Sequence, residues 1–291
     1  MSPAVALPDK PSLVPLAPGV WFFFNANGMS NAGVIEEDDG LTVIDTLLSP
    51  AMALDFLRMI REVSQKPVRQ VILTHFHGDH ILGTEAFAGA RLIAHENTRS
   101  YLEEFGEAEV KRFASRPELG DQLATVRLRL PDVTFASTLS FHSGDRSVEL
   151  SWPGPAHTSG DVVIALPRAI VSLPSDGIFF VGDLLFNGVM PVLRNASPSG
   201  WIEALKRLEA HRGASVVPGH GPVGGVEELG VMRRLLEELV GLVTAAVARG
   251  AGEEEVLAIQ PPESVRHWPG QERWQMAVRR AWEEVTGRPA P

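Results

Sequence analysis

The chain has 291 residues, a formal net charge of −10 and 44% hydrophobic residues. This length fits one large α/β domain or two small ones, and the composition is that of a globular protein. The acidic balance argues against binding to nucleic acid or to an anionic membrane, because such binding requires clustered Lys and Arg. Since the sequence contains no cysteine, any metal must be bound by His and carboxylate side chains.

Residues 1–19 are rich in proline and contain no continuous apolar segment. They predict a proline-rich N-terminal arm rather than a signal peptide. No later stretch approaches the roughly 18 consecutive apolar residues of a membrane-spanning helix. We therefore expect a cytoplasmic protein with no membrane partner.

Short β-prone runs open the chain and helical spacing follows them. Strands are predicted at 20–24, 33–37 and 41–45, with turns at Asn27-Gly28 and at 38–40. A helix is expected from Ser49-Pro50 to a point before Pro67. Further strands are expected at 70–73 and 91–94, followed by a mainly helical stretch from 96 to 130.

Six β-prone runs between 133 and 181 predict a second sheet. They are followed by a helix at 201–211, a strand at 215–218, and helices at 227–249 and 274–285. The runs 40–48 and 177–185 share one pattern, in which a buried strand ends in Asp and then Leu-Leu. This pattern suggests two similar β/α halves. We find no linker between them, so a single domain over 20–291, with sheets sandwiched by outer helices, is the expected architecture.

The densest cluster of potential metal ligands contains His75, His77, Asp79 and His80. It follows a predicted buried strand, and Gly78 allows the tight turn that aims these side chains at a common site. Buried imidazoles and carboxylates need partners. A metal site is therefore favoured over a solvated His-rich turn, because matching side chains recur downstream.

The downstream candidates also lie beside turn-forming residues at the ends of apolar runs. They are His157, Asp183 and His220. Together with the first cluster they form seven potential ligands of the type that Zn²⁺ accepts with an open position, although Fe or Mn also fits such a set. His95 and His142 lie at strand ends as well, and we interpret both as structural histidines.

At these residues the sequence resembles the metallo-β-lactamase superfamily. Asp45 matches its first motif, 75–80 the second, His157 the third, Asp183 the fourth and His220 the fifth. The resemblance implies an α/β fold, the four-layer αβ/βα sandwich, with the site on one edge. It also implies the division of ligands between two metal ions. His75, His77 and His157 would bind the first ion, Asp79, His80 and His220 the second, and Asp183 would bridge them, with Asp45 supporting the site from behind.

The predicted activity is that of a dinuclear metal-dependent hydrolase, with two Zn²⁺ as the expected cofactors. Two such ions lower the pKa of water toward 7 and so provide a metal-bound hydroxide near neutrality. Asp79 is the predicted catalytic residue, because it would hold this nucleophile and pass a proton to the leaving group.

Substrates within this superfamily differ, and particular residues distinguish among them. Zinc β-lactamases usually carry Ser or Cys at the position of Asp183, so only weak β-lactam hydrolysis is expected. Acyl-homoserine lactonases use a Tyr, whereas Tyr101 lies in a helical stretch far from any motif. Glyoxalase II uses C-terminal basic residues, for which Arg233 and Arg234 are candidates. The acidic charge disfavours phosphodiesterase or nuclease activity on polymers.

An apolar mouth over the site is predicted from two loops that follow strands. Its proposed substrate contacts are Phe24, Met29, Phe186 and Met190, with Val192 beside them. The expected partner is a small acyl substrate, namely an ester, lactone, thioester or weakly a β-lactam. The alternatives are an iron-dependent persulfide dioxygenase, which would bind one Fe, and a non-catalytic binding protein, which the complete ligand set disfavours.

Overall fold

The computed structural model describes residues 8–26, 29–116, 119–123, 126–144, 146–167 and 177–288. The strands in this part of the chain form one seven-stranded and one five-stranded sheet. The predicted turn at Asn27-Gly28 and the β-prone stretch at 168–176 lie outside the described residues.

The first sheet has its strands in sequence order, so it is built from neighbouring elements. Its first four strands pair antiparallel, and its last four pair parallel. The strands are β1 (Ser12–Ala17), β2 (Val20–Phe24), β3 (Ala32–Glu36), β4 (Leu41–Ile44), β5 (Val68–Ile72), β6 (Arg91–His95) and β7 (Val133–Phe135).

The second sheet follows the order β12-β11-β10-β9-β8. Among the described pairings of this sheet, only that of β11 with β12 is parallel, because a helix at Pro198–Leu208 separates these two strands along the chain. The strands are β8 (Thr138–Ser143), β9 (Arg146–Ser151), β10 (Val163–Leu166), β11 (Ile178–Phe186) and β12 (Ser215–His220).

Helices cover the outer face of each sheet. The helices are α1 (Pro50–Val63), α2 (Gly78–Ile81), α3 (Glu96–Ala114), α4 (Gly120–Leu123), α5 (Pro198–Leu208), α6 (Val226–Ala248), α7 (Glu253–Leu257) and α8 (Trp274–Val285). Short 3₁₀ helices lie at Thr84–Phe87, Glu263–Val265 and Gln271–Arg273. None of the helices in the described ranges is long and apolar enough to span a membrane.

Side-chain alternation along the strands divides the interior into three apolar layers. In β11, Ile178 and Phe180 pack between the two sheets, whereas Phe179 and Val181 pack against the outer helices. Helices α1 and α3 supply Phe56 and other apolar side chains to the third layer, on the outer face of the first sheet. The result is the predicted four-layer αβ/βα sandwich. Strands covered on both faces are apolar at nearly every position, as β11 is.

Two sequence predictions need correction. The arm predicted at 1–19 is wrong for Ser12–Ala17, which form the edge strand β1 and pair antiparallel with β2. Pro15 is tolerated there because an edge strand has one side without ladder hydrogen bonds. The second correction concerns Asp183, which does not end its strand but lies within β11. The register of β11 against β12 shifts around Gly182, which has a φ of 51°.

Candidate metal centre

All seven predicted ligands meet at one edge of the sandwich. His75 and His77 lie in the loop after β5, and Asp79 and His80 lie in the short helix α2. His157 comes from the loop between β9 and β10, Asp183 from β11, and His220 from the end of β12. The ligand atoms fall into two groups: His75, His77, His157 and Asp183, and then Asp79, His80 and His220.

The first group surrounds one carboxylate oxygen of Asp183. Its Oδ2 lies 3.3 Å from His157 Nε2 and 3.7 Å from His75 Nε2. His77 Nδ1 lies 2.9 Å from His157 Nε2. Ligand atoms at 2.0–2.1 Å from a tetrahedral Zn²⁺ are roughly 3.3 Å apart, so this spacing suits one ion.

The second group surrounds the other oxygen of Asp183. Its Oδ1 lies 3.1 Å from His80 Nε2 and 3.5 Å from His220 Nε2. Asp79 Oδ2 lies 3.3 Å from His220 Nε2 and 3.8 Å from His80 Nε2. The two oxygens of Asp183 thus face different groups, which is the arrangement expected of a bridging carboxylate.

Unpartnered buried atoms test whether a metal fits. Among the described residues, His75 Nε2, His80 Nε2 and Asp183 Oδ1 are buried and make no hydrogen bond. Unsatisfied buried polar atoms are rare in folded proteins because each costs roughly 1–3 kcal/mol. These three atoms all face the space between the ligand groups, so the residues fit a bound cation.

Asp45 fixes the ring orientation of two ligands from behind. Its Oδ2 lies 2.7 Å from His80 Nδ1, which must donate to this carboxylate and so leaves Nε2 free for a metal. Thr74 donates its backbone N–H and its hydroxyl to Asp45, each at 2.8 Å. Since the Thr74 proton is used in this way, His75 Nδ1 at 3.0 Å must donate to the Thr74 oxygen. His75 Nε2 is therefore also free.

Three supporting residues were missed in the sequence. Asn195 Oδ1 lies 3.0 Å from His77 Nε2, and Glu109 accepts the Gly78 N–H at 3.0 Å. Asn31 binds the carbonyls of Pro218 and Gly221 at 3.1 and 2.9 Å and so fixes the segment that carries His220. These contacts join residues far apart along the chain, which no local sequence pattern indicates.

The pKa shifts separate the ligands into two kinds. Burial lowers the pKa values of His75 and His157 well below their usual range, and burial and then Arg194 lower that of His77. These rings are neutral, which is the form that binds metal. Burial also acts on His220, but the carboxylates of Asp183 and Asp79 outweigh it and raise its pKa to about 9. The second group thus attracts cations, protons included.

Asp79 differs from the other ligands in accessibility. Its side chain is 18% exposed, whereas those of His80 and Asp183 are 0% and 3% exposed. Burial raises its pKa, but the neighbouring His80 and His220 outweigh this and lower it, so the carboxylate stays ionised. An ionised group at the open side of the centre is placed to contact a substrate or a water molecule.

The predicted apolar mouth is wrong for two of its members. Phe186 is buried and stacks on the His220 ring at 4.9 Å between centroids, so it packs behind the ligands. Met190 is buried in the layer beneath α5 and α6, because β11 continues beyond Asp183 and its following loop turns inward. Phe24, Met29 and Val192 are partly buried against the apolar layers, and their contact with substrate stays a prediction.

Two further sequence interpretations can be compared with the structure. Tyr101 is not remote from the motifs, because its ring stacks on that of Phe76 at 3.7 Å. Helix α3 places Tyr101 beside Phe76, which lies within the second motif. His95 is buried, stacks on Trp152 and donates to the Ala136 carbonyl at 2.9 Å, in keeping with a structural role. His142 is exposed on the edge strand β8.

Comparison with known proteins agrees with this geometry. The family model described as "Metallo-beta-lactamase superfamily" matches residues 26–220, which include all seven ligands. The chain is 25% identical over 249 residues to a linear primary-alkylsulfatase of Pseudomonas sp. (strain ATCC 19151). That match covers 72% of this chain but only 45% of the alkylsulfatase, so the chain spans less than half of that relative's length.

Two further comparisons involve β-lactamases. The chain is 27% identical over 209 residues to the metallo-beta-lactamase type 2 of Bacillus sp. (strain 170), covering 69% of this chain and 71% of that one. Among solved structures, the metallo-beta-lactamase from Pontibacter korlensis matches with a TM-score of 0.62 and 25% identity. That match covers 78% of this chain and 99% of the other.

Proposed function

Because the chain belongs to the metallo-β-lactamase superfamily, a superfamily of metal-dependent hydrolases, we propose that it hydrolyses a small acyl substrate with two Zn²⁺ ions at this centre. The observation that carries the proposal is the position of Asp183. Its two oxygens face two separate groups of ligands, and a single carboxylate between two groups suits two adjacent ions. His and carboxylate ligands without cysteine favour Zn²⁺.

The residues around the centre have different roles in the proposed hydrolysis. Bound Zn²⁺ supplies a Lewis acid and lowers the pKa of water. Asp79, as the accessible ionised carboxylate, orients the attacking water by accepting its hydrogen bond and carries its proton toward the leaving group. Asp45 and Thr74 keep the rings of His75 and His80 in the tautomer that exposes Nε2. Water adds across the acyl bond, which yields an acid and an alcohol, thiol or amine.

A sulfate ester is a second candidate substrate class. The similarity to an alkylsulfatase supports it, as does a local match of 43% identity over 58 residues to the alkyl/aryl-sulfatase BDS1 of Saccharomyces cerevisiae. A β-lactam is a less favoured substrate: Asp183 stands where zinc β-lactamases usually carry Ser or Cys, so we expect β-lactam hydrolysis to be slow. The net charge of −10 disfavours polymeric nucleic acid as substrate.

A substrate panel with defined metal content tests the proposal. We expect close to two Zn per chain by elemental analysis, and hydrolysis of p-nitrophenyl acetate or a γ-lactone that a strong chelator abolishes and added Zn²⁺ restores. Dodecyl sulfate hydrolysis faster than that of every acyl compound would select the sulfate branch. One Fe per chain with no hydrolysis would instead indicate the persulfide dioxygenase, and the absence of bound metal would contradict the proposal as a whole.

A further inference from the structure

We propose that Glu109 on α3 is a positioning residue for the first ligand group, acting on His77 through Arg194 and Asn195. The inference rests on the proposed metal centre but on no particular substrate. It concerns a carboxylate that lies outside the ligand set and belongs to none of the five sequence motifs. Its side chain is only 2% exposed.

The Glu109 carboxylate joins three separate elements. Its Oε1 accepts the Gly78 N–H of α2 at 3.0 Å. Arg112, one turn later on α3, donates to both oxygens at 2.7 and 3.0 Å. Arg194, from the loop between β11 and α5, also donates to both, at 3.2 Å each. Burying a carboxylate is costly unless it is paired, and here five hydrogen bonds compensate the charge.

The Arg194 contact fixes the loop next to a metal ligand. The following residue, Asn195, accepts through Oδ1 from His77 Nε2 at 3.0 Å. A ring that donates from Nε2 must present a lone pair at Nδ1, and His77 Nδ1 is the atom that faces His157 Nε2 at 2.9 Å. Asn195 therefore selects the tautomer in which His77 can bind a metal.

His77 is thus held at two points that both lead to Glu109. Its backbone is fixed because the next residue, Gly78, donates directly to the carboxylate. Its ring is fixed through Asn195, whose neighbour Arg194 binds the same carboxylate. Phe113 of α3 closes the remaining space, since a Cβ at Gly78 would lie 2.3 Å from the Phe113 ring. Gly78 also begins α2, which carries Asp79 and His80 of the second group, but within the described ranges His77 is the one ligand whose ring is connected to Glu109 through Asn195 and Arg194.

Because the ring contact reaches only the first ligand group, a positioning role leads to a result that a merely structural role would not produce. Loss of the Arg194 or Asn195 contact should weaken the first metal site by about 10- to 100-fold, the usual effect of removing an outer-shell partner of a metal-binding His. Affinity at the second site should change little. A purely structural defect would lower the unfolding temperature and reduce metal affinity at both sites alike.

The test compares Arg194→Gln and Asn195→Ala with Arg112→Gln as the matched control. Arg112 also pairs with Glu109, but it lies on the same helix and fixes no second element. Metal-free protein is titrated with Zn²⁺ against a competing chelator, and Co²⁺ absorption spectra are recorded in parallel. His157→Ala and His220→Ala assign the two binding steps, because each removes a ligand of one group only.

We expect the first-site affinity to fall in Arg194→Gln and Asn195→Ala, with an altered Co²⁺ spectrum, and to stay near the wild-type value in Arg112→Gln. Unchanged first-site affinity in both test variants, or an equal loss in Arg112→Gln, would overturn the positioning role while leaving the proposed function intact. Wild-type protein that binds no metal would overturn the proposed function itself. Arg194 and Asn195 are only partly buried, so these variants test the idea even if Glu109→Gln does not fold.

Discussion

Replacing Asp45 by Asn should switch the tautomer of two metal-binding imidazole rings without changing the shape of the side chain at position 45. The carboxylate accepts three hydrogen bonds, from the Thr74 N–H, the Thr74 hydroxyl and His80 Nδ1. An amide can accept at one end only and donates at the other. His80 Nδ1 would then have to accept, which places its proton on Nε2, the atom that faces Asp183.

The same substitution should reach His75 through Thr74. Once the amide donates to the Thr74 oxygen, the hydroxyl proton is free to turn toward His75 Nδ1, and the His75 proton moves to Nε2. One ring in each ligand group is thus driven into a tautomer that cannot bind metal. Outer-shell changes of this kind cost about 10- to 100-fold in metal affinity, or roughly 1.4–2.8 kcal/mol per site.

Isothermal titration of metal-free protein with Zn²⁺ in a competing chelator measures both affinities. Asp161→Asn is the matched control, because Asp161 is also buried and accepts from the N–H and hydroxyl of one threonine, Thr158. Within the described part of the chain, no imidazole nitrogen donates to the Asp161 carboxylate. Burial raises the pKa of Asp161 to about 8, so this side chain is largely uncharged at pH 7. Replacing it by a neutral amide therefore changes its charge little.

The expected result is weaker binding at both sites in Asp45→Asn and near wild-type binding in Asp161→Asn. Zn²⁺ affinities that are unchanged in Asp45→Asn would refute the tautomer argument. An equal loss in the Asp161→Asn control would show that replacing any buried carboxylate near the site has this effect, and this result would also refute the tautomer argument.

Three further predictions follow from the geometry. In Gly219→Ala the new Cβ would lie 1.9 Å from Asp183 Oδ1, so elemental analysis should show loss of both ions, whereas Gly89→Ala, with open space around it, should keep them. Asp79→Asn should lower turnover by about 10²- to 10⁴-fold while circular dichroism stays unchanged, and near-normal turnover would exclude its assigned role. Burial raises the pKa of Glu109, but Arg112 and Arg194 outweigh it and lower it from 4.5 to about 2. The resulting stabilisation, about 3 kcal/mol, is present above pH 4.5 and is lost as the pH falls toward 2. Urea unfolding of metal-free wild type and Glu109→Gln should therefore differ less at pH 3 than at pH 7, and a constant difference would contradict the pairing.

The ligands could be predicted from the sequence because each lies in a short segment with turn-forming residues, next to an apolar run. The structure brings all seven together at one edge, as the motif order implies. The boundaries of β2 and α8 also agree with the hydrophobic spacing. Where local pattern and tertiary packing coincide, sequence is a sufficient guide.

The supporting residues could not be predicted in this way. Glu109 and Asn195 reach the site across 31 and 118 residues of chain, and on their own elements they look like ordinary polar side chains. The burial of Phe186 and Met190 was missed for a related reason. An apolar residue after a strand fits an open mouth or a covered core equally well, and only the packing of α5 and α6 over the second sheet decides between them.

Each ligand group draws side chains from both sheets, since His75 to His80 follow the first sheet and His157, Asp183 and His220 belong to the second. A bound ion would therefore act as a cross-link between the two layers, in a chain that has no cysteine to form one. Closing long loops restricts the unfolded chain much as a disulfide does. The centre would thus stabilise the contact between the sheets as well as serve as a reaction site. Amide hydrogen exchange at this edge should therefore be slower whenever metal is bound.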